Sequence, residues 1–349
     1  MRALRRHLNT LYVTLEGAYL RKDGAAVEIR HERETKMRVP LHNLEGICTF
    51  GWDTTASASL MHACAEADVS LSFHSPHGKF LVSGRGPQSG NILLRRAQYR
   101  AADHAPAALN VASTCVAAKI ANGRAVLLRG SRDHGQKDSN RAFALQQAAD
   151  ALARRASMAS RAATLETLRG IEGDAATTYF AALPLLLVNV ENGITFSGRS
   201  KRPPLDPVNA LLSFLYTLLA HDVRSACESA GLDPQCGFLH RDRPGRPSLA
   251  FDLMEEFRAF LADRAGLTLL NRRQITASDF ESRENGAVLL KEDSRKTVLK
   301  HWQERKQSEM QHPYLLEKTT IGLLPFIQAR LLTRHLRGDL DAYPAFLAK

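Results

Sequence analysis

Residues 237–258 read GFLHRDRPGRPSLAFDLMEEFR. They set His240 in a basic, proline-punctuated loop directly ahead of an amphipathic helix. Ala250, Leu253, Met254, Phe257, Phe260 and Leu261 recur at helical spacing and define an apolar stripe. Asp252, Glu255 and Glu256 fall on the opposite side, and Asp252 and Glu255, three apart, project together. Pro247 and Ser248 mark the start, with Ser248 the expected N-cap. A histidine beside carboxylates in basic surroundings suits a divalent metal and a phosphodiester. The same pattern also suits a plain solvated helix face, because the helix dipole favours acidic residues in the first turns. The segment alone leaves both readings open.

Working outward, the chain changes character near residue 90. Before it, strand signals dominate: alternation at Leu11, Val13 and Leu15, an Asp23-Gly24 hairpin signal, and short strand candidates at residues 37–39, 47–50, 69–73 and 80–83. One helix is expected over residues 54–67, capped by Asp53. Residues 84–90, rich in glycine, read as a linker. After it, helices are expected over residues 91–99, 107–128, 140–157, 165–190 (broken near Pro184), 208–230, 296–307 and 320–337. Asp206-Pro207 is a strong helix start, Gly231 a stop, and Asn285-Gly286 a small hairpin turn. The expected fold is α+β: a β-rich domain over residues 1–86, then a larger α-helical domain over residues 91–349.

The 349 residues include 44% hydrophobic side chains, enough for a sizeable core, and carry a net charge of +11 that suits a polyanionic partner. No apolar run of membrane-spanning length is visible, and the basic N-terminus is not followed by the apolar stretch of a secretory signal. Cys48, Cys64, Cys115, Cys227 and Cys236 are odd in number and form no CxxC pair. That argues against a disulfide framework or a cysteine zinc site and points to a reducing cytoplasm. The sequence has no GxGxxG, Walker or nucleophile-elbow motif.

Three further segments carry charge in suggestive places. In residues 168–176, LRGIEGDAA, small residues flank Glu172 and would admit a metal, a phosphate or another chain; close-packed small residues with solvated Glu172 and Asp174 fit as well. In residues 196–204, Arg199, Lys201 and Arg202 precede a helix N-terminus, a setting that suits phosphate contacts or an ordinary solvated loop. A basic helix with Lys296, Lys300, Arg305, Lys306 and Trp302 reads as a nucleic-acid grip or a charged outer face.

Residues 168–180, 197–216 and 231–258, taken in order, resemble the CRISPR-associated adaptation integrase, the metal-dependent endonuclease that inserts new spacers; residues 8–20, 40–50 and 90–100 fit too. The resemblance covers nearly the whole chain and is greatest to versions from type I-C systems. It implies metal ligands at Glu172, His240 and Glu255, with Asp252 an alternative to Glu255. It implies Tyr179, Asn209 and Arg258 nearby as orienting residues. The implied reaction is attack of a 3′-hydroxyl of captured DNA on a phosphodiester at the repeat boundary, with Mg²⁺ or Mn²⁺ as cofactor. Arg241, Arg243 and Arg246, beside His240, are expected to hold the DNA backbone. The implied partners are a pre-spacer duplex, the CRISPR repeat, a small second adaptation protein and a second copy of this chain through its N-terminal strands. A general nuclease of branched DNA and a non-catalytic DNA-binding scaffold are the alternative readings.

Overall fold

The computed structural model describes residues 10–44, 46–67, 69–75, 80–84, 92–135, 138–188, 193–200 and 203–348. The chain divides into two compact units: Met1–Gly90 with Glu292–Met310 and Thr319–Leu323, and Asn91–Lys291 with Gln311–Lys318 and Leu324–Lys349. Mixed α/β architecture results, with strands first and helices after.

The first unit is built on β1 (Thr10–Val13), β2 (Tyr19–Asp23), β3 (Ala26–His31), β4 (Glu34–Pro40), β5 (Gly46–Phe50), β6 (Thr55–Ala56), α1 (Ala58–Glu66), β7 (Ser70–His74) and β8 (Phe80–Gly84). One sheet runs β1-β5-β7-β8 and a second β4-β3-β2-β6. The Asp23-Gly24 signal closes the antiparallel β2–β3 hairpin, whose register pairs Asp23 with Ala26. Leu20, Val27, Ile47 and Leu71 on the strands and Leu60 on α1 belong to the unit's core. The helix cap differs from expectation: α1 starts later, and Ser57, not Asp53, accepts from the Leu60 amide. The predicted linker lies, from residue 85 on, outside the described residues.

The second unit holds α2 (Ile92–Asp103), α3 (Ala105–His134), α4 (Ser139–Ala159), α5 (Leu165–Ala182), α6 (Pro207–Ser229), α7 (Ser248–Met254), α8 (Arg264–Asn271), β9 (Phe280–Ser282) and β10 (Val288–Leu290). Next in the chain come α9 (Glu292–Gln307) of the first unit, short strands β11 (Glu309–Gln311) and β12 (Lys318–Thr320), and α10 (Leu324–Leu336) of the second. The helix predicted over residues 165–190 ends at Ala182, and a 3₁₀ turn carries Pro184. α6 is capped as predicted: Asp206 accepts from the Asn209 amide at 2.7 Å, and Pro207 fills the first turn. At its end Gly231 takes φ +79°, and the Leu232 amide bonds back to Cys227, a Schellman closure that a β-carbon would strain.

Central to the second unit is α3, in contact with α4, α5, α2 and α7. By length and composition it passes as a membrane span, contrary to the sequence reading, yet more than half of its most apolar window is buried inside the protein. Trp302, on the basic helix read either as a nucleic-acid grip or as a charged outer face, is fully buried and cannot stack on a base.

Candidate active site

The loop before α7 is pinned to one carboxylate. Asp252 is fully buried. Its Oδ2 accepts from the amides of Phe238 (2.6 Å) and Leu239 (3.0 Å), and its Oδ1 from the amide of His240 (3.0 Å). That same Oδ1 lies 2.6 Å from the His240 ring nitrogen Nδ1. Four donors fill the roughly four lone-pair positions of a carboxylate. Such close approach needs a glycine: a β-carbon on Gly237 would sit 2.8 Å from Ser248 Cβ and 2.9 Å from Asp252 Oδ2. Arg169 on α5 ties down the far side of the loop, donating to the Leu239 carbonyl from Nη2 (2.6 Å) and Nε (3.1 Å).

Ser248 is not the N-cap of α7. Pro247 holds that position without a side-chain cap, and Ser248 Oγ instead donates to the Arg241 carbonyl at 3.1 Å. The acidic side of this helix is not solvated either. Glu255 and Glu256 are as buried as the apolar stripe, because α3, α6 and α10 all pack on α7. After Met254 the helix loosens into a turn and then a π-helical segment, Arg258–Asp263. Insertions of this kind change which way successive side chains point.

Glu255 and Glu256 accordingly serve different neighbours. Glu255 accepts from Arg258 Nη1 at 2.7 and 3.0 Å, and its Oε2 lies 2.9 Å from Lys119 Nζ. The Lys119 ammonium also bonds Glu172 Oε1, so one lysine on α3 joins a carboxylate on α5 to one beyond α7. Burial pushes the Glu255 carboxyl up, but Arg258 and Lys119, with His240 adding to the field, outweigh it and hold it at about 2. Glu256 turns away and accepts from Tyr343 Oη (2.6 Å), the Phe346 amide (2.7 Å) and Gln328 Nε2 (3.0 Å). Burial pushes it up to about 7, since those donors offset only part of the desolvation.

Glu172 and Glu255 thus meet at Lys119, and His240 adds to the field at Glu255, but among the described residues no three His, Cys, Asp or Glu side chains converge closely enough to hold an ion as they stand. Lys119 and Arg258 occupy the carboxylate oxygens. Beside Glu172, a β-carbon on Gly170 or Gly173 would meet nothing within 4 Å, and Asp174 pairs with Arg155 at 2.5 Å.

Of the three orienting residues implied by the resemblance, Arg258 touches Glu255; Tyr179 and Asn209 bond elsewhere. Tyr179 Oη donates to Asp263 Oδ2 at 2.9 Å, and Tyr216 Oη to Oδ1 at 2.5 Å. Burial raises the Asp263 carboxyl, with those hydroxyls and Arg258 opposing. Asn209 holds the loop at residues 198–200, donating to the Gly198 carbonyl at 2.7 Å and accepting from the Ser200 amide at 3.1 Å.

The expected DNA contacts divide. Arg199 is turned inward, 2.6 Å from Asn209 Oδ1 and over the Tyr216 ring at 5.3 Å, so it supports the fold instead of a phosphate. Lys201 and Arg202 lie outside the described residues. Arg241 and Arg243 are exposed beside His240, whereas Arg246 is half-buried over Phe251 at 5.5 Å. Sequence reasoning missed Lys119, Tyr216, Asp263 and Arg169. Lys119 alone left a trace: it is the only charged residue from 105 to 123, inside an apolar helical run.

The family model for CRISPR-associated protein Cas1 matches residues 11–304. This chain belongs to the Cas1 family. It is 50% identical over 348 residues to "CRISPR-associated endonuclease Cas1 2" of Rhodospirillum rubrum, covering 99% of this chain and 100% of that one. Three solved structures share the fold at TM-score 0.80 and 22% identity. A Cas1 protein of Thermotoga maritima matches over 98% of this chain and 100% of its own. A casposase bound to integration product matches over 96% and 92%. A chain of a Cas6-RT-Cas1–Cas2 complex matches over 98% of this chain and 36% of its own. At that identity the three speak to fold alone.

Proposed function

We propose that this Cas1 protein is the metal-dependent DNA endonuclease and integrase of CRISPR adaptation, joining a 3′-hydroxyl of new spacer DNA to a phosphodiester at the repeat. The observation that carries the site assignment is the contrast between two acidic residues one helical turn apart. Asp252 has its lone pairs filled by the loop it holds, whereas Glu255 is held by cations. We therefore assign Glu255, Glu172 and His240 as the ligand set and Asp252 as the group that orients His240.

The donor set fits a hard divalent ion such as Mg²⁺ or Mn²⁺: two carboxylates, one imidazole, and a place between the carboxylates where the fold already puts a positive charge. When bound, the metal supplies Lewis acidity, lowering the pKa of the attacking hydroxyl and neutralising the phosphate. The chain's own residues do the rest. Asp252 accepts a hydrogen bond from His240 Nδ1–H and so leaves Nε2 as the coordinating nitrogen. Arg258 holds Glu255 at both oxygens and is itself fixed over the Tyr216 ring at 4.4 Å. Arg241 and Arg243, on the exposed rim, grip the DNA backbone.

The same reading gives a small second adaptation protein as partner, a homodimer through N-terminal strands within residues 1–86, chemistry carried by residues 91–349, and action in the cytoplasm. Its test is a joining assay with the partner protein, a pre-spacer duplex and a repeat-bearing plasmid in Mn²⁺ or Mg²⁺, with His240→Ala as control. Donor joined at a repeat edge, and lost in the variant, is expected. Cutting without joining would leave only the general nuclease; binding without chemistry, identical in the variant, would leave only the scaffold.

A further inference from the structure

Lys119 sits where neither a ligand set nor a DNA grip calls for a lysine. It comes from the middle of the longest helix, in a stretch otherwise without charge, and its side chain is only 15% exposed. Its ammonium bonds one oxygen of Glu172 and lies 2.9 Å from one of Glu255. Those oxygens belong to two of the three proposed ligands. An ammonium and a divalent ion at those oxygens compete for them: at such spacing the two cations repel strongly, so each weakens the other's hold.

Arg258 and Lys119 differ in their freedom to leave. The Arg258 guanidinium is wedged over Tyr216 at 4.4 Å and bonds both Glu255 oxygens from beside the site. Lys119 stands on a flexible four-carbon stem, and next to it lies a cavity of about 30 Å³. Gly123, Leu152, Tyr179, Tyr216, Arg258 and Asp263 line that largely apolar cavity together with Lys119. Its volume exceeds what a single water requires, so the lysine stem has room to swing the ammonium off the two carboxylate oxygens.

We propose that Lys119 is a built-in competitor of the divalent metal: it holds Glu172 and Glu255 together as a counterion and swings off their oxygens when the metal binds. This rests on the metal-site reading above. It gives Lys119 an effect opposite in sign to that of a supporting residue. Removing the ammonium tightens metal binding, while the protein without metal becomes less stable because two carboxylates are left facing each other.

The experiment titrates Mn²⁺ into the full-length wild type, Lys119→Met, Lys119→Gln, Lys119→Arg and Glu172→Gln, following the free-ion EPR signal. Thermal unfolding is followed in EDTA and in Mn²⁺. Lys119→Met is expected to bind Mn²⁺ at least about ten-fold more tightly than wild type, with Lys119→Arg no tighter than wild type. Lys119→Met should also melt below wild type in EDTA and gain more from Mn²⁺. Lys119→Gln, neutral but still able to donate, is the second readout should the methionine variant not fold. Equal or weaker binding in the folded neutral variants overturns the competition while leaving the metal site standing. A wild type that takes up no Mn²⁺, or a Glu172→Gln that binds as wild type does, overturns the metal site itself.

Discussion

Asp252 grips His240 twice, at the backbone amide (3.0 Å) and at ring Nδ1 (2.6 Å). The second bond selects the imidazole tautomer and the first fixes the ring's anchor, so a single carboxylate sets both where the ligand is and which nitrogen it presents. Asp252→Asn replaces one acceptor oxygen with a donor that faces other donors. Metal affinity and joining activity should fall about 10–100-fold, as for lost outer partners of metal ligands. Stability should fall by about 1–3 kcal/mol. Mn²⁺ titration and the joining assay check this; a variant with wild-type values in both would remove the orienting role.

Gly237 makes that grip possible. Its missing β-carbon would otherwise lie 2.9 Å from the Ser248 carbonyl carbon as well as from Asp252 Oδ2, so backbone has to move. Gly237→Ala is expected to cost about 1–3 kcal/mol, the usual range for overpacking. It should also cost metal affinity, because the displaced loop carries His240. Chemical denaturation alongside Mn²⁺ titration separates the two effects; a stable variant that binds metal normally would show that the loop tolerates the shift.

Much of this was legible in the sequence and some was not, for definite reasons. The apolar residues from Ala250 to Leu261 are buried as expected, although the regular helix ends at Met254, and the Asp206-Pro207 start of α6 is where its chemistry placed it. Periodicity reports one face of a helix only. It could not reveal that α3, α6 and α10 enclose the other face as well, so Asp252, Glu255 and Glu256 were expected outside and lie inside. Nor does local pattern carry long-range pairing. Lys119 lies 53 residues from Glu172, and Arg169 lies 70 from Leu239; only the fold brings them together. Arg199 shows the converse: a basic loop residue reads as a phosphate contact until Asn209 and Tyr216 are found to hold it.

That distinction between arginines is measurable. Arg243→Ala removes an exposed charge beside His240. DNA affinity should fall and the slope of log affinity against log salt should flatten by about 0.9 for duplex DNA. Arg199→Ala should leave the slope unchanged and lower stability by about 1–3 kcal/mol, because it strips bonds from Asn209 and Ser213. Equal changes of salt slope in the two variants would put Arg199 back among the DNA contacts.

His312 carries a pH dependence whose direction follows from its bonds. It is buried, its Nδ1 accepts from the amides of Tyr314 (3.3 Å) and Leu315 (3.2 Å), and its Nε2 lies 3.1 Å from Gln328 Oε1. Nε2 therefore holds the proton and Nδ1 must stay bare. Burial lowers its pKa from the ordinary 6.5, with Gln328 and Glu317 opposing. A histidine depressed in this way binds fewer protons folded than unfolded. Its stabilisation is present in full above about 6.5 and is lost as pH falls below that value. Glu256, joined to the same Gln328 at 3.0 Å, pulls the other way, since a carboxyl raised to about 7 loses stabilisation as pH climbs from 4.5 toward that value. The difference between wild type and His312→Asn isolates the histidine, because asparagine keeps an acceptor near the Nδ1 position and does not titrate. Unfolding free energies measured in EDTA from pH 7.5 down to about 5 should show wild type losing ground to the variant steadily below about 6.5. A constant gap across that range would mean that His312 takes its proton without disturbing the turn it caps.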